Sequence, residues 1–209
     1  GLGNDTLSLI EQAFLTGGGL ANIMDASGFT GSTTLTGGSG DDSLTGGSGA
    51  DVLVGGVGND SLSGGLGNDS ITGNSGNDAV VGGGGTDTVI VSVDGNITLT
   101  DTSVVGDGTD SLNGVENAQL TGGAGNNTIS ALGSTLKTTL NGGAGDDILI
   151  GGNSDDLFNG GDGFECALNL RLAGRGVSVV FAGDEAKLPA DAHRAFQAWR
   201  TIGGAVMRD

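Results

Sequence analysis

Residues 37–90 read GGSGDDSLT, GGSGADVLV, GGVGNDSLS, GGLGNDSIT, GNSGNDAVV and GGGGTDTVI, six nonapeptides that follow one another without a gap. Each unit has Gly at positions one and four, Asp at position six and Leu, Ile or Val at position eight. The position-one residues are Gly37, Gly46, Gly55, Gly64, Gly73 and Gly82, and those at position four include Gly40, Gly49, Gly58 and Gly67. The aspartates are Asp42, Asp51, Asp60, Asp69, Asp78 and Asp87. A short exact period of this kind predicts a stack of small identical units. Glycines at fixed places let the first six residues form a tight turn with closely approaching backbones. The one break at position two is Asn74, the residue type that best tolerates a left-handed backbone after Gly. The last three residues alternate as a short strand, which turns Leu44, Leu53, Leu62, Ile71, Val80 and Val89 inward.

One apolar side chain per strand makes a thin core, too small to offset the entropy of ordering so much Gly. The aspartates supply the missing stabilisation. Calcium is a hard cation that takes six to eight oxygens at roughly 2.3–2.6 Å, from carboxylates and backbone carbonyls alike. A Gly-rich turn exposes carbonyls, and Asp completes the set. Asp also favours turns for local reasons, but Asn or Ser would serve a turn equally well. Six Asp in one phase beside glycines in one phase therefore point to an ion.

This pattern resembles the RTX, or haemolysin-type, calcium-binding repeat family. The resemblance implies an all-β fold, a right-handed parallel β-roll in which two nonapeptides make one coil and each Ca²⁺ lies between turns stacked on the same side. It implies that Asp42, Asp60 and Asp78 line one edge and Asp51, Asp69 and Asp87 the other, with about four shared ions in 37–90. It further implies a large bacterial protein exported unfolded by a type I system and folded outside the cell, where calcium is abundant.

Composition agrees with a thin solenoid. There are 46 Gly, no Tyr, and aromatics are 3% of the 209 residues, too few for an ordinary packed core. The net charge of −18 recurs at regular places, which favours a cation and disfavours nucleic acid or an anionic membrane. No apolar run is long enough for a transmembrane helix. Cys166 is the single cysteine, so no internal disulfide forms and a bound metal is the expected staple. The chain starts at Gly1 without a signal peptide, and its ends look cut from a longer protein.

A second period of 105 residues lies over the first. Gly3–Glu11 (GNDTLSLIE) matches Gly108–Glu116 (GTDSLNGVE), and GGSGDDSLTGG from Gly37 matches GGAGDDILIGG from Gly142. The expected organisation is a spacer over 1–36 that opens on a truncated repeat, the calcium roll over 37–90, a second spacer over 91–141, a shorter calcium block over 142–165, and a divergent segment over 166–209. Within the spacers, 88–93 (TVIVSV) and 96–100 (NITLT) read as strands of the same solenoid. Asn22 and Asn127 stand where a calcium Asp is expected and read as stacked turns without an ion. Asp147 and Asp156 hold position six of the second block, and Glu165 follows, enough for one further site.

After Glu165 the character changes, with six of the seven Lys and Arg and the only Pro, His and Trp. The segment reads as a next spacer or cap, a secretion signal, or a foreign piece. Residues 168–172 and 176–181 alternate like strands, and 189–200 (PADAHRAFQAWR) reads as a short helix suited to closing the end of a roll. His193 has no companion Cys or nucleophile, so neither zinc nor catalysis is expected, and the glycine strings carry no phosphate-loop Lys. Two hosts stay open: a long adhesin in which these cassettes are spacers that could meet a cell-surface or extracellular ligand, or a secreted hydrolase or toxin with its enzyme domain elsewhere. Ice binding is a remote third, since the outward ninth positions Thr45, Val54, Ser63, Thr72 and Val81 make no flat Thr array.

Overall fold

The computed structural model describes residues 11–159 and, beyond them, three backbone strands. The fold is all sheet, a parallel β-solenoid of about seven turns, with no helix among the described residues. The expected helix over 189–200 lies outside those residues.

Two walls face each other. The first contains β1 (Gln12–Thr16), β3 (Ser32–Ser39), β5 (Val52–Val57), β7 (Ser70–Ser75), β9 (Thr88–Ser92), β13 (Asn117–Thr121), β15 (Lys137–Asn141) and β17 (Leu157–Asn159), in that spatial order. The second runs from β2 (Ile23–Asp25) through β4 (Ser43–Thr45), β6 (Ser61–Leu66) and β8 (Ala79–Gly84) to β12 (Thr109–Asn113). It continues through β11 (Ser103–Val105), β10 (Ile97–Leu99), β14 (Thr128–Ser130) and β16 (Asp147–Ile150) to β18 (Glu165–Leu168). The chain passes from wall to wall at every turn, so strands one coil apart become parallel neighbours without a helical crossover.

Position eight builds the core. In the first wall Leu35, Leu53, Ile71 and Val89 stack in register, and in the second Met24, Leu44, Leu62, Val80 and Leu112 do the same. The six inward residues expected from the repeat are all at most 2% exposed, so the core is dry although one side chain wide. At the start of the second cassette the column shifts by one pleat: Ala118 lies opposite Val89 and Leu120 opposite Val91, and Leu120, Leu140 and Phe158 carry the new column.

The solenoid departs from pure parallel pairing once. After β9 the chain makes β10, reverses into β11 and reverses again into β12, so β11 is antiparallel to both neighbours. The spacer strands expected at 88–93 and 96–100 are present as β9 and β10. The antiparallel return is an addition to the expected simple roll, and its cause is local. Residues 91–107 lack the nonapeptide turn, and Ser103 N–H donates to Thr100 Oγ1 at 3.0 Å, closing a short turn that sends the strand back. Acidic side chains hold the excursion in place: Asp101 accepts Thr135 N–H at 2.6 Å and Ser134 Oγ at 2.8 Å, and Asp107 accepts Ser75 Oγ at 3.1 Å. β19 (Ser178–Val180) and β20 (Ala205–Met207) form a separate parallel pair that joins neither wall.

Candidate metal centre

The position-six aspartates form two continuous rows. The N–H of Asp42 donates to Oδ1 of Asp60 at 2.7 Å and that of Asp60 to Oδ1 of Asp78 at 2.8 Å. On the other edge Asp51 donates to Asp69 and Asp69 to Asp87, both at 2.8 Å. These are the two edges expected from the pairing of alternate repeats. All six residues are at most 2% exposed, an unusual place for carboxylates.

The second carboxylate oxygen divides the row into two kinds of residue. Oδ2 of Asp42, Asp60, Asp69, Asp78, Asp87 and Asp147 is buried with no hydrogen-bond partner. Oδ2 of Asp51 and Asp156 instead accepts an N–H of its own turn, from Gly47 at 2.7 Å and from Gly152 at 2.8 Å. Asn22 and Asn127 behave like this second kind, each accepting at 2.9 Å from Gly18 and Gly123. Asp51 and Asp156 are equivalent under the 105-residue period, and each also accepts a threonine hydroxyl, Thr33 at 2.9 Å and Thr138 at 2.7 Å.

Three of the unpartnered oxygens, those of Asp42, Asp69 and Asp87, share the space beside a position-one glycine with a backbone carbonyl of the next coil. A methyl group added to Gly64 would lie 2.6 Å from the Gly82 carbonyl oxygen of the next coil and in hard contact with Asp69 Oδ2. Gly37 stands in the same relation to Asp42 Oδ2 and the Gly55 carbonyl, again at 2.6 Å for the latter. Gly46, Gly55, Gly73 and Gly82 likewise each pack against the Oδ2 of their own aspartate. Position one is thus the point where oxygens converge. Position four turns the chain: Gly40, Gly58 and Gly67 have φ of +101°, +137° and +115°, whereas Gly49 is outside that region but just as closely packed, against the Gly31 carbonyl at its back. Asn74 has φ +67°, the sole non-Gly residue of positive φ among the described residues, as its side chain allows.

Among the described residues no three His, Cys, Asp or Glu side chains converge on one point. An ion at these turns would draw further ligands from backbone carbonyls, which calcium accepts alongside carboxylates. The electrostatics agree. Burial pushes the carboxyls of Asp69 and Asp78 up to about 6, backbone N–H bonds partly oppose this, and the neighbouring carboxylates of each row add to it. Asp60, Asp87 and Asp110 move the same way, burial again first. Rows of buried, mutually repelling carboxylates, most of them with one unpartnered oxygen, are the donor set a hard dication fits.

Sequence reading missed two members. Asp110, 8% exposed, accepts the Asp78 N–H at 2.9 Å, and Glu116 Oε2 accepts that of Asp87 at 2.8 Å. The signal lay in GTDSLNGVE, the stretch that marks the 105-residue period. A second, outer ladder at position five also went unread: Asn59 N–H donates to Asp41 Oδ1, Asn77 N–H to Asn59 Oδ1 and Thr109 N–H to Asn77 Oδ1, each at 2.8 Å.

The chain shares 46 residues, 22% of its length, with each of two curated bacterial proteins, at 54% and 46% identity. They are a bifunctional NAD(P)H-hydrate repair enzyme of Vibrio cholerae and an NAD(P)H-hydrate epimerase of Achromobacter xylosoxidans. The shared stretch spans only 9% and 22% of those proteins. The family model for the RTX calcium-binding nonapeptide repeat matches residues 27–62, 54–89, 116–135 and 132–164, more than half of the chain. With its aspartate rows and solenoid walls, the chain belongs to the RTX calcium-binding nonapeptide repeat family.

Proposed function

We propose that this chain is a calcium-binding β-roll module that folds on binding Ca²⁺ outside the cell and serves as a non-catalytic, structural spacer of a type I-secreted, adhesin-like protein. The observation that carries this reading is the set of six buried Oδ2 atoms without hydrogen-bond partners, three of them beside a backbone carbonyl of the next coil. Asp42, Asp60, Asp69, Asp78 and Asp87 would hold the ions of the first block and Asp147 one of the second. Asp51 and Asp156 are candidate ligands too, each by exchanging the bond to its own turn for a bond to metal. Bound calcium supplies positive charge between like-charged turns. The residues themselves orient the oxygens, exclude water and fix the spacing of the coils. Without the ion, burial of the rows opposes folding, so binding free energy becomes folding free energy. No helix among the described residues is long and apolar enough to cross a membrane. The test is far-ultraviolet circular dichroism during a calcium titration from an EGTA-treated start, with magnesium in parallel. A cooperative gain of β signal with calcium alone is expected. Complete β structure in EGTA would sink the reading.

A second reading of the host concerns the tail. The repeat matches end at residue 164, and β19 and β20 pair in parallel without joining either sheet. A parallel pair needs a crossover, and the helical pattern of 189–200 lies between the two strands. On this reading the 46 residues shared with the NAD(P)H-hydrate enzymes are those of the tail, and the roll adjoins an enzyme-type unit and not another cassette. The parent reading frame separates the two: further cassettes downstream support the adhesin, and a continued epimerase-like sequence supports the second host.

A further inference from the structure

Both aspartate rows outlast the six nonapeptides. On one edge the row passes from Asp78 to Asp110, a step of 32 residues, and on the other from Asp87 to Glu116, a step of 29, where every earlier step between aspartates of the run is 18. Both long steps jump the antiparallel excursion of β10 and β11. Residues 90–115 fall outside every family match, so Asp110 and Gly114 belong to no recognised repeat.

Asp78 and Asp87 end the run, yet their Oδ2 atoms are buried and unpartnered like those inside it. The coil beyond the excursion supplies what such an oxygen faces elsewhere. A methyl group on Gly82 would strike the Gly114 carbonyl oxygen and lie 2.6 Å from Asp87 Oδ2, the relation that Gly64 has to Gly82 and Asp69. Gly114 has φ +63°, a left-handed turn that sets this carbonyl and that a β-branched residue would resist. On the opposite edge Asp110 is itself buried, with its Oδ1 on the Asp78 N–H.

We propose that the seam between the two cassettes holds two further calcium ions, one bound by Asp78 and Asp110 and the other by Asp87, the Gly114 carbonyl and Glu116. This rests on the calcium reading above and extends it to Asp110 and Gly114, outside the family matches, and to Glu116, the first residue of the third match. The ions would clamp the excursion from both edges and join the two blocks into one cooperative unit.

The test is the number of ions bound by the full chain at saturating calcium, counted by native mass spectrometry and by isothermal titration. Asp110→Asn and Glu116→Gln keep an acceptor for the N–H of Asp78 and Asp87 while removing the charge, and each is expected to bind one ion fewer than the wild type. Glu116→Asp, which restores the position-six residue of the repeat, is expected to keep the full count. Asp107→Asn, an exposed change on the same excursion, is also expected to keep it. A full count in both D110N and E116Q, or a lost ion in E116D, overturns the proposal while leaving the calcium reading intact. A wild-type chain that binds no calcium overturns both.

Discussion

The backbone N–H of Asp42 donates to Oδ1 of Asp60 at 2.7 Å while Oδ2 of each residue is buried without a partner. One carboxylate oxygen therefore holds the coils in register, and the other is left for a cation. Asp60→Asn separates these tasks, because Asn keeps the register acceptor and loses the charge. In saturating calcium D60N should lose stability, on the order of 1.5–3 kcal/mol, the range for a hydrogen bond or contact to a charged group. In EGTA it should be at least as stable as wild type, since a buried repulsion is gone. Thermal denaturation in both conditions checks the pair of signs.

The pH dependence has opposite senses with and without metal. Asp69 and Asp78 titrate near 6 in the fold, above the unfolded value of about 3.9. The folded state binds the extra protons, so the metal-free fold is favoured below the unfolded value and loses that contribution as pH rises through 6. In EGTA, β signal should be greater at pH 4.5 than at pH 7.5. Protons compete with calcium for the same oxygens, so the calcium midpoint should rise as pH falls below 6. A metal-free fold more stable at pH 7.5 than at pH 4.5 would contradict the burial of these rows.

Leu53 is fully buried between Leu35 and Ile71 in a column one side chain wide. No neighbouring layer can close over the gap, so Leu53→Ala should cost about 2–5 kcal/mol. Val57, 59% exposed at the end of the same strand, is the control, and Val57→Ala should stay within about 0.5 kcal/mol. Melting temperatures at saturating calcium give both values.

Backbone handedness gives a graded series. Asn74→Gly should be neutral or slightly stabilising, and Asn74→Ala should cost about 1–2 kcal/mol at φ +67°. Gly56→Ala should cost more than either, because at φ +119° its methyl group would also collide with the Gly38 carbonyl of the coil below. Denaturant midpoints in calcium rank the three.

What sequence could show here follows the period. Within 37–90 the inward, acidic and glycine positions recur six times, so the inward Leu53, the buried Asp60 and the tolerated Asn74 were all readable. Asp110 and Glu116 were not, because their partners lie 32 and 29 residues away and the excursion between them has no period to count by. The different use of Asp51 and Asp69 was equally hidden. Both sit at position six, but their own turns differ, Gly47 and Gly49 lying outside the positive-φ region that Gly65 and Gly67 occupy, and so do the residues stacked on them: Thr33 brings a hydroxyl to Asp51, and Asp51 brings a bare N–H to Asp69.

The reversal at β11 makes the walls unequal, ten strands against eight. Neighbouring strands lie about 4.8 Å apart, so the second wall is longer by about 10 Å over the same coils. A two-walled tube with one longer side is expected to bend, with the second wall on the outer curve. A cassette that repeats this excursion would turn the same way each time, and a tandem array would wind as a coil with a reach shorter than its contour. Extension under load would then begin by straightening such a bend before any coil separates from the next.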